Sequence, residues 1–222
     1  MGQFNVSSLL GRSSHPSNSP AKAPWARKTE KTVDVLAARE SNALNTENTQ
    51  NTILFVCTGN IARSASAELI SRHMAPNSGW NFASAGTGAV IGAPVAEHID
   101  RLLIEQDVQI GEHKARQISR EVLEESALVL VMERHHMDWI MREWPEYRPK
   151  VHLLKQMARL RESAGRRSDP ISYMKLTQDR PTRKDDIADP FRRGPEAAQK
   201  AVTEIQHSLD VVVPWLGQFN AG

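Results

Sequence analysis

The chain has 222 residues, enough for one core of ordinary domain size with tails rather than two domains. Its 28 Lys and Arg against 26 Asp and Glu leave a net charge of +2, which gives no broad attraction to nucleic acid or to an anionic membrane. A single cysteine excludes an internal disulfide and a cysteine-based zinc cluster, leaving either an inert buried thiol or a reactive one.

No apolar run is long enough to span a bilayer. Residues Met1 to Arg12 lack the basic and apolar regions of a secretory signal, so the expected location is cytoplasmic, without membrane insertion. Gly2 follows Met1, but Val6 stands where a myristoylation signal carries Ser or Thr. Residues 1 to about 50 are rich in Ser, Asn, Thr, Ala and Pro without sustained apolar periodicity, which predicts a disordered extension. Within it Val33, Val35, Leu36 and Leu44 suit at most a short helix that needs a partner.

Order is expected from about residue 51 to 218. Ile53-Leu54-Phe55-Val56 is an unbroken apolar run, as in a parallel strand covered on both faces. A glycine-containing loop follows, then a helical pattern from Ala62 to Met74 that Pro76 and Gly79 end. Trp80 to Ser84 predicts a second strand leading into a Gly86/Gly88 loop, and Val95 to Gln106 a helix with Ile99, Leu102 and Leu103 on one face. Leu128 to Met132 is the clearest strand; a helix from Glu133 to Glu143 follows it, and Lys150 to Leu154 reads as a fourth strand. The last helix, Gly194 to about Val213, spaces Ala198, Val202, Ile205 and Leu209 three or four apart. Strands alternating with helices predict an α/β fold with a parallel sheet, in which ligands bind at the carboxyl ends of the strands.

The loop after Val56 falls at such an end. It reads Cys57-Thr58-Gly59-Asn60-Ile61-Ala62-Arg63-Ser64, with five residues between the cysteine and the arginine. Five residues including a glycine can curl until successive N–H groups point inward at a helix N-terminus, a concave site suited to a tetrahedral anion. The Arg63 guanidinium can return a planar fork to two phosphate oxygens, which lysine cannot match. Cys57 then lies under the phosphorus, in surroundings that favour its thiolate, and Ser64 can donate a hydrogen bond to the sulfur. A thiolate attacking a phosphate monoester still requires a proton for the leaving oxygen. Asp189-Pro190, on a loop leading into the last helix, offers one, although Asp-Pro alone is ordinarily a turn or helix-start device and recurs at Asp169-Pro170.

These features resemble the low-molecular-weight protein tyrosine phosphatases, especially the bacterial branch acting on autophosphorylating tyrosine kinases of polysaccharide export. The resemblance spans about residues 52 to 215 and rests on Cys57 to Ser64, Ser84-Ala85-Gly86-Thr87, His113-Lys114-Ala115-Arg116-Gln117 and Asp189-Pro190-Phe191. It implies a single α/β domain with a four-stranded parallel sheet flanked by helices, and hydrolysis of phosphotyrosine through phosphocysteine. It implies no cofactor and no metal. Cys57 would be the nucleophile, Arg63 the phosphate clamp and Asp189 the acid and then the base. Thr58, Gly59, Asn60, Ile61, Ala62 and Ser64 would form the phosphate loop. Asn60, Ser84 and His113 would hold that loop in shape, and Ile61 and Phe191 would wall the substrate ring. The implied partner is a tyrosine-phosphorylated protein, and the expected state a monomer.

Three departures from the family pattern carry consequences. Ala62 stands where a second cysteine is common, so oxidation of Cys57 cannot end in an internal disulfide. Ala65 replaces a proline, and Phe191 a common tyrosine. The stretch between Leu154 and Asp189 reads as an insertion, about 155–186. From Arg159 to Arg193 there are ten Lys or Arg against six Asp or Glu, either a basic surface for an acidic phosphopeptide or a solvated loop. Related loops occur in arsenate reductases, whose relay between cysteines one cysteine cannot supply, and in protein-arginine phosphatases, which carry Thr in place of Ile61. A phosphoprotein-binding module without turnover is the non-enzyme alternative. Nucleic-acid binding is disfavoured because the basic residues are not interleaved with stacking aromatics.

Overall fold

A computed structural model describes residues 51–219; the expectations for residues 1 to about 50, including the short helix around Val33 to Leu44, lie outside it. The described residues form one α/β domain. Its elements are β1 (Thr52–Cys57), α1 (Arg63–Met74), β2 (Asn81–Gly86), α2 (Glu97–Ile104), α3 (Arg120–Glu124), β3 (Leu128–Val131), α4 (Arg134–Glu143), β4 (Val151–Leu153), α5 (Leu154–Leu160), α6 (Pro170–Leu176) and α7 (Gly194–Gly217). Short 3-10 turns cover Pro145–Lys150 and Arg183–Asp185.

The four strands pair in parallel in the order β2-β1-β3-β4. Both faces are covered, which is why β1 is apolar from Ile53 to Val56. Ile53 and Phe55 join one core layer with α1, α2, α5 and α7, while Leu54 and Val56 join a second with Leu123, Met137 and Ile140 of α3 and α4. From β1 the chain turns to β2 on one side, then crosses back to β3 on the other. The strand order therefore reverses between β1 and β3, and a crevice opens at their carboxyl ends, where doubly wound sheets bind ligands.

The predicted strands and long helices appear with small shifts. β2 begins at Asn81 rather than Trp80 and continues to Gly86, α2 is shorter than expected, and α7 extends to Gly217. Leu154, read as the end of a strand, instead starts α5. The segment 155–186 is not an open loop. It carries most of α5, all of α6 and a 3-10 turn, and contributes Met157, Leu160, Ala164 and Met174 to the core.

Candidate active site

The loop between β1 and α1 is shaped at Asn60, which adopts φ +56°, a left-handed conformation uncommon for a residue with a side chain. Its side-chain polar atoms and its carbonyl are engaged. Oδ1 accepts from the Arg116 backbone N–H at 2.9 Å, Nδ2 donates to Ser84 Oγ at 2.7 Å and Ser64 Oγ at 3.0 Å, and the carbonyl accepts from His113 Nε2 at 2.8 Å. Ser84 in turn donates to the buried carboxylate of Glu68, which pairs with Arg72 Nη2 at 2.7 Å. Gly86 is required beside this loop: a Cβ there would lie 2.3 Å from the Thr58 carbonyl oxygen and 3.1 Å from Asn60 N.

Cys57 is buried and its Sγ lies 3.0 Å from Ser64 Oγ. Helix α1 begins without a side-chain cap, leaving the amides of its first turn for a ligand. Arg63, the first residue of α1, is 1 % exposed. Its Nη1 pairs with Glu133 and donates to the Ile187 carbonyl at 2.9 Å, and its Nη2 lies 3.1 Å from Asp189 Oδ1. Nε has no partner, one of only two such buried side-chain polar atoms among the described residues. An unpaired buried donor is costly. An anion seated in the loop is the natural acceptor for it.

Asp189 reaches the site because the chain before it is tied to the sheet: the Ile187 N–H donates to the Met132 carbonyl at 2.8 Å, just past β3. The Asp189 carboxylate also accepts from the Phe191 N–H at 3.3 Å. Phe191 is 49 % exposed. Ile61 is half-buried beside Gly59 and Val90, and Val90 is 50 % exposed, so the loop carries apolar surface at its rim. Arg63 thus links the end of the Cys57 loop to Asp189, while Ser84 and His113 hold that loop through Asn60.

Two acids were invisible as site residues in the sequence. Glu133 reads as a helix start, and it does begin α4, but its carboxylate also holds Arg63. Its place just after a buried parallel strand was the available signal. Glu68 lies one turn after Ser64 and one turn before Arg72, a spacing that puts all three on one face of α1. Glu133, His135 and His136 bring potential metal-ligand atoms within 4.8 Å of one another. Glu133 is committed to Arg63, however, and both ring nitrogens of His136 are hydrogen-bonded, so a cation there would have to break those contacts.

Residues 52–217 match the family model described as low molecular weight phosphotyrosine protein phosphatase. The chain belongs to that family. It is an enzyme of the protein-tyrosine-phosphatase class. A probable low molecular weight protein-tyrosine-phosphatase, EpsP of Ralstonia nicotianae, is 29% identical over 163 residues, 73% of this chain and 94% of that protein. The low molecular weight protein-tyrosine-phosphatase Wzb of Salmonella typhi is 30% identical over 158 residues, 71% of this chain and 89% of the relative. Among solved structures, the YwlE arginine phosphatase from Geobacillus stearothermophilus superposes with a TM-score of 0.60 at 28% identity, covering 74% of this chain and 91% of that one.

Proposed function

We propose that this enzyme hydrolyses phosphotyrosine in proteins through a phosphocysteine intermediate. The observation that carries the reading is the buried Arg63 guanidinium, with an unpaired Nε and Asp189 on Nη2, at the start of an uncapped helix that follows the Cys57 loop. Cys57 attacks phosphorus as its thiolate, forming the S–P bond as the bond to the phenolic oxygen breaks. The phosphate takes up Arg63 Nε and replaces Asp189 on Nη2, and Asp189, released from the ion pair and protonated from solvent, delivers that proton to the leaving oxygen. Water then attacks the phosphocysteine while Asp189 removes its proton. The sulfur departs as thiolate, helped by a hydrogen bond from Ser64 at the 3.0 Å contact.

The residues around the mouth support a peptide substrate with an aromatic phosphoester. Ile61, Val90 and Phe191 offer apolar faces to the ring. Arg159 is neutralised by Asp179 and Asp185, but Arg183, Lys184, Arg192 and Arg193, which flank Asp189 in sequence, are exposed and have no acidic partner among the described residues. They suit acidic residues near the phosphotyrosine. A tyrosine kinase of capsule or exopolysaccharide export is the partner the resemblance implies, and similarity to EpsP and Wzb, both named as protein-tyrosine-phosphatases, supports a tyrosine-phosphorylated protein as substrate. The enzyme is read as a cytoplasmic monomer; among the described residues no helix is long and apolar enough to cross a membrane.

Phosphoarginine is the second reading, favoured by the likeness to YwlE. The deciding experiment compares kcat/KM for a phosphotyrosine and a phosphoarginine peptide on the wild type and on Cys57→Ser. Phosphotyrosine turnover that disappears with Cys57 while phosphate still binds supports the proposal. Activity confined to phosphoarginine rejects it.

A further inference from the structure

The buried histidine at the start of α4 is fully engaged, and its bonding fixes its tautomer. The Glu133 backbone N–H donates to His136 Nδ1 at 3.1 Å, so that nitrogen carries the lone pair and the ring proton sits on Nε2. Nε2 lies 3.0 Å from Thr58 Oγ1, and with its proton there it is the donor and Thr58 the acceptor. Burial, followed by the nearby His135 and Arg63 charges, pushes His136 down from 6.5 to about 2, so the ring is neutral through the physiological range.

A consequence follows for Thr58, the residue after Cys57. With His136 donating to its oxygen, the hydroxyl hydrogen must point elsewhere, and no described group accepts it. Thr58 is exposed at the crevice, and its methyl side faces Gly88: a Cβ on Gly88 would lie 3.9 Å from Thr58 Cγ2. The hydroxyl is thereby left with a free proton beside the phosphate loop, turned away from His136.

We propose that His136 is a positioning residue that turns the Thr58 hydroxyl into an additional hydrogen-bond donor to the bound phosphate group. This rests on the reading of the loop as a phosphate site. His136 also ties the start of α4: its ring accepts from the Glu133 N–H while its own backbone N–H donates to the Glu133 carbonyl at 3.1 Å. A proton kept off the His136 contact can be given to the phosphate without breaking an existing hydrogen bond.

The test measures inorganic phosphate affinity by calorimetry, which does not depend on turnover, with kcat/KM for a phosphotyrosine peptide alongside. Thr58→Val, which keeps the shape and loses the hydroxyl, should weaken phosphate about 10-fold, the usual size of one hydrogen bond to a charged group. Thr58→Ser should restore affinity to within about twofold of wild type. His136→Leu should cost less phosphate affinity in the Thr58→Val background than in the wild type, because its route through the Thr58 hydroxyl is already gone while its contact with Glu133 is lost in both. Nitrogen-15 spectra of the histidine rings should show His136 protonated only on Nε2 from pH 5 to 8. Wild-type phosphate affinity in Thr58→Val, or a ring protonated on Nδ1, overturns the proposal. Wild-type protein that binds phosphate but cleaves no phosphopeptide would defeat the reading of function while leaving this assignment open to the same phosphate measurements.

Discussion

Arg63→Lys keeps the charge and removes the geometry, and so isolates what the planar fork contributes. In the structure Nη1 is committed to Glu133 and the Ile187 carbonyl, which leaves Nε and Nη2 for a phosphate once Asp189 is displaced. A lysine ammonium has one nitrogen on a flexible stem, and satisfying Glu133 draws it away from the loop. Two charged hydrogen bonds to the transferring phosphoryl group are then lost or misaligned, at about 1.5–3 kcal/mol each. The total of about 3–6 kcal/mol corresponds to a fall of about 10²- to 10⁴-fold in kcat/KM. The assay is steady-state hydrolysis of a phosphotyrosine peptide, with circular dichroism to show that the variant is folded. A loss of less than about tenfold in a folded variant would refute the argument, because charge alone would then be enough.

Three further outcomes follow from the geometry. Asp189→Asn should slow an aryl phosphate with a poor leaving group by about 10²- to 10⁴-fold and one with a good leaving group far less; equal slowing of both removes Asp189 from the acid role. Gly86→Ala forces a methyl group against the Thr58 carbonyl, so it should destabilise the fold by about 1–3 kcal/mol and weaken phosphate binding; wild-type melting and affinity together contradict that. His136 and His152 are buried, neutral, and pushed down from 6.5 to about 2 and about 4, so the unfolded chain binds more protons than the native one below pH 6.5. Their contribution is full above pH 6.5 and falls with acid, by about 2–3 kcal/mol per pH unit near pH 5, until His152 itself protonates at about 4. Urea midpoints that stay flat from pH 7 to pH 5 would show that the two rings do not resist protonation in the native state.

Legibility in the sequence followed the length scale of the interaction. β1 and its loop could be read because an apolar run, a glycine and the cysteine-to-arginine spacing are local, and α1, α4 and α7 could be read because several turns of apolar periodicity are visible before tertiary contacts form. The helices α3, α5 and α6 have only five to seven residues each, too short to display a period. They persist through packing, as with Met157, Leu160 and Met174, all buried. α5 was further hidden because it follows β4 with no intervening loop, so that Val151 to Leu154 looks like one apolar strand. Glu133, Glu68 and His136 escaped for a different reason: their meaning lies in partners 16 to 78 residues away.

The two Asp-Pro pairs make the same point within a single chain. Asp169 accepts from the Ser172 N–H at 2.8 Å and caps its own helix, with Pro170 at the first helical position, so its role is complete within four residues. Asp189 makes a similar local bond to the Phe191 N–H, and nothing in its immediate sequence marks it as different. The difference arises two residues earlier, where the Ile187 N–H is held by the Met132 carbonyl at the end of β3 and the Ile187 carbonyl by Arg63. Those two bonds carry Asp189 to Arg63 at the end of the Cys57 loop, and without them it would be one more turn-forming aspartate. The acid role proposed for Asp189 is therefore a property of the sheet's carboxyl edge as much as of the residue, which is why a dipeptide alone could not assign it.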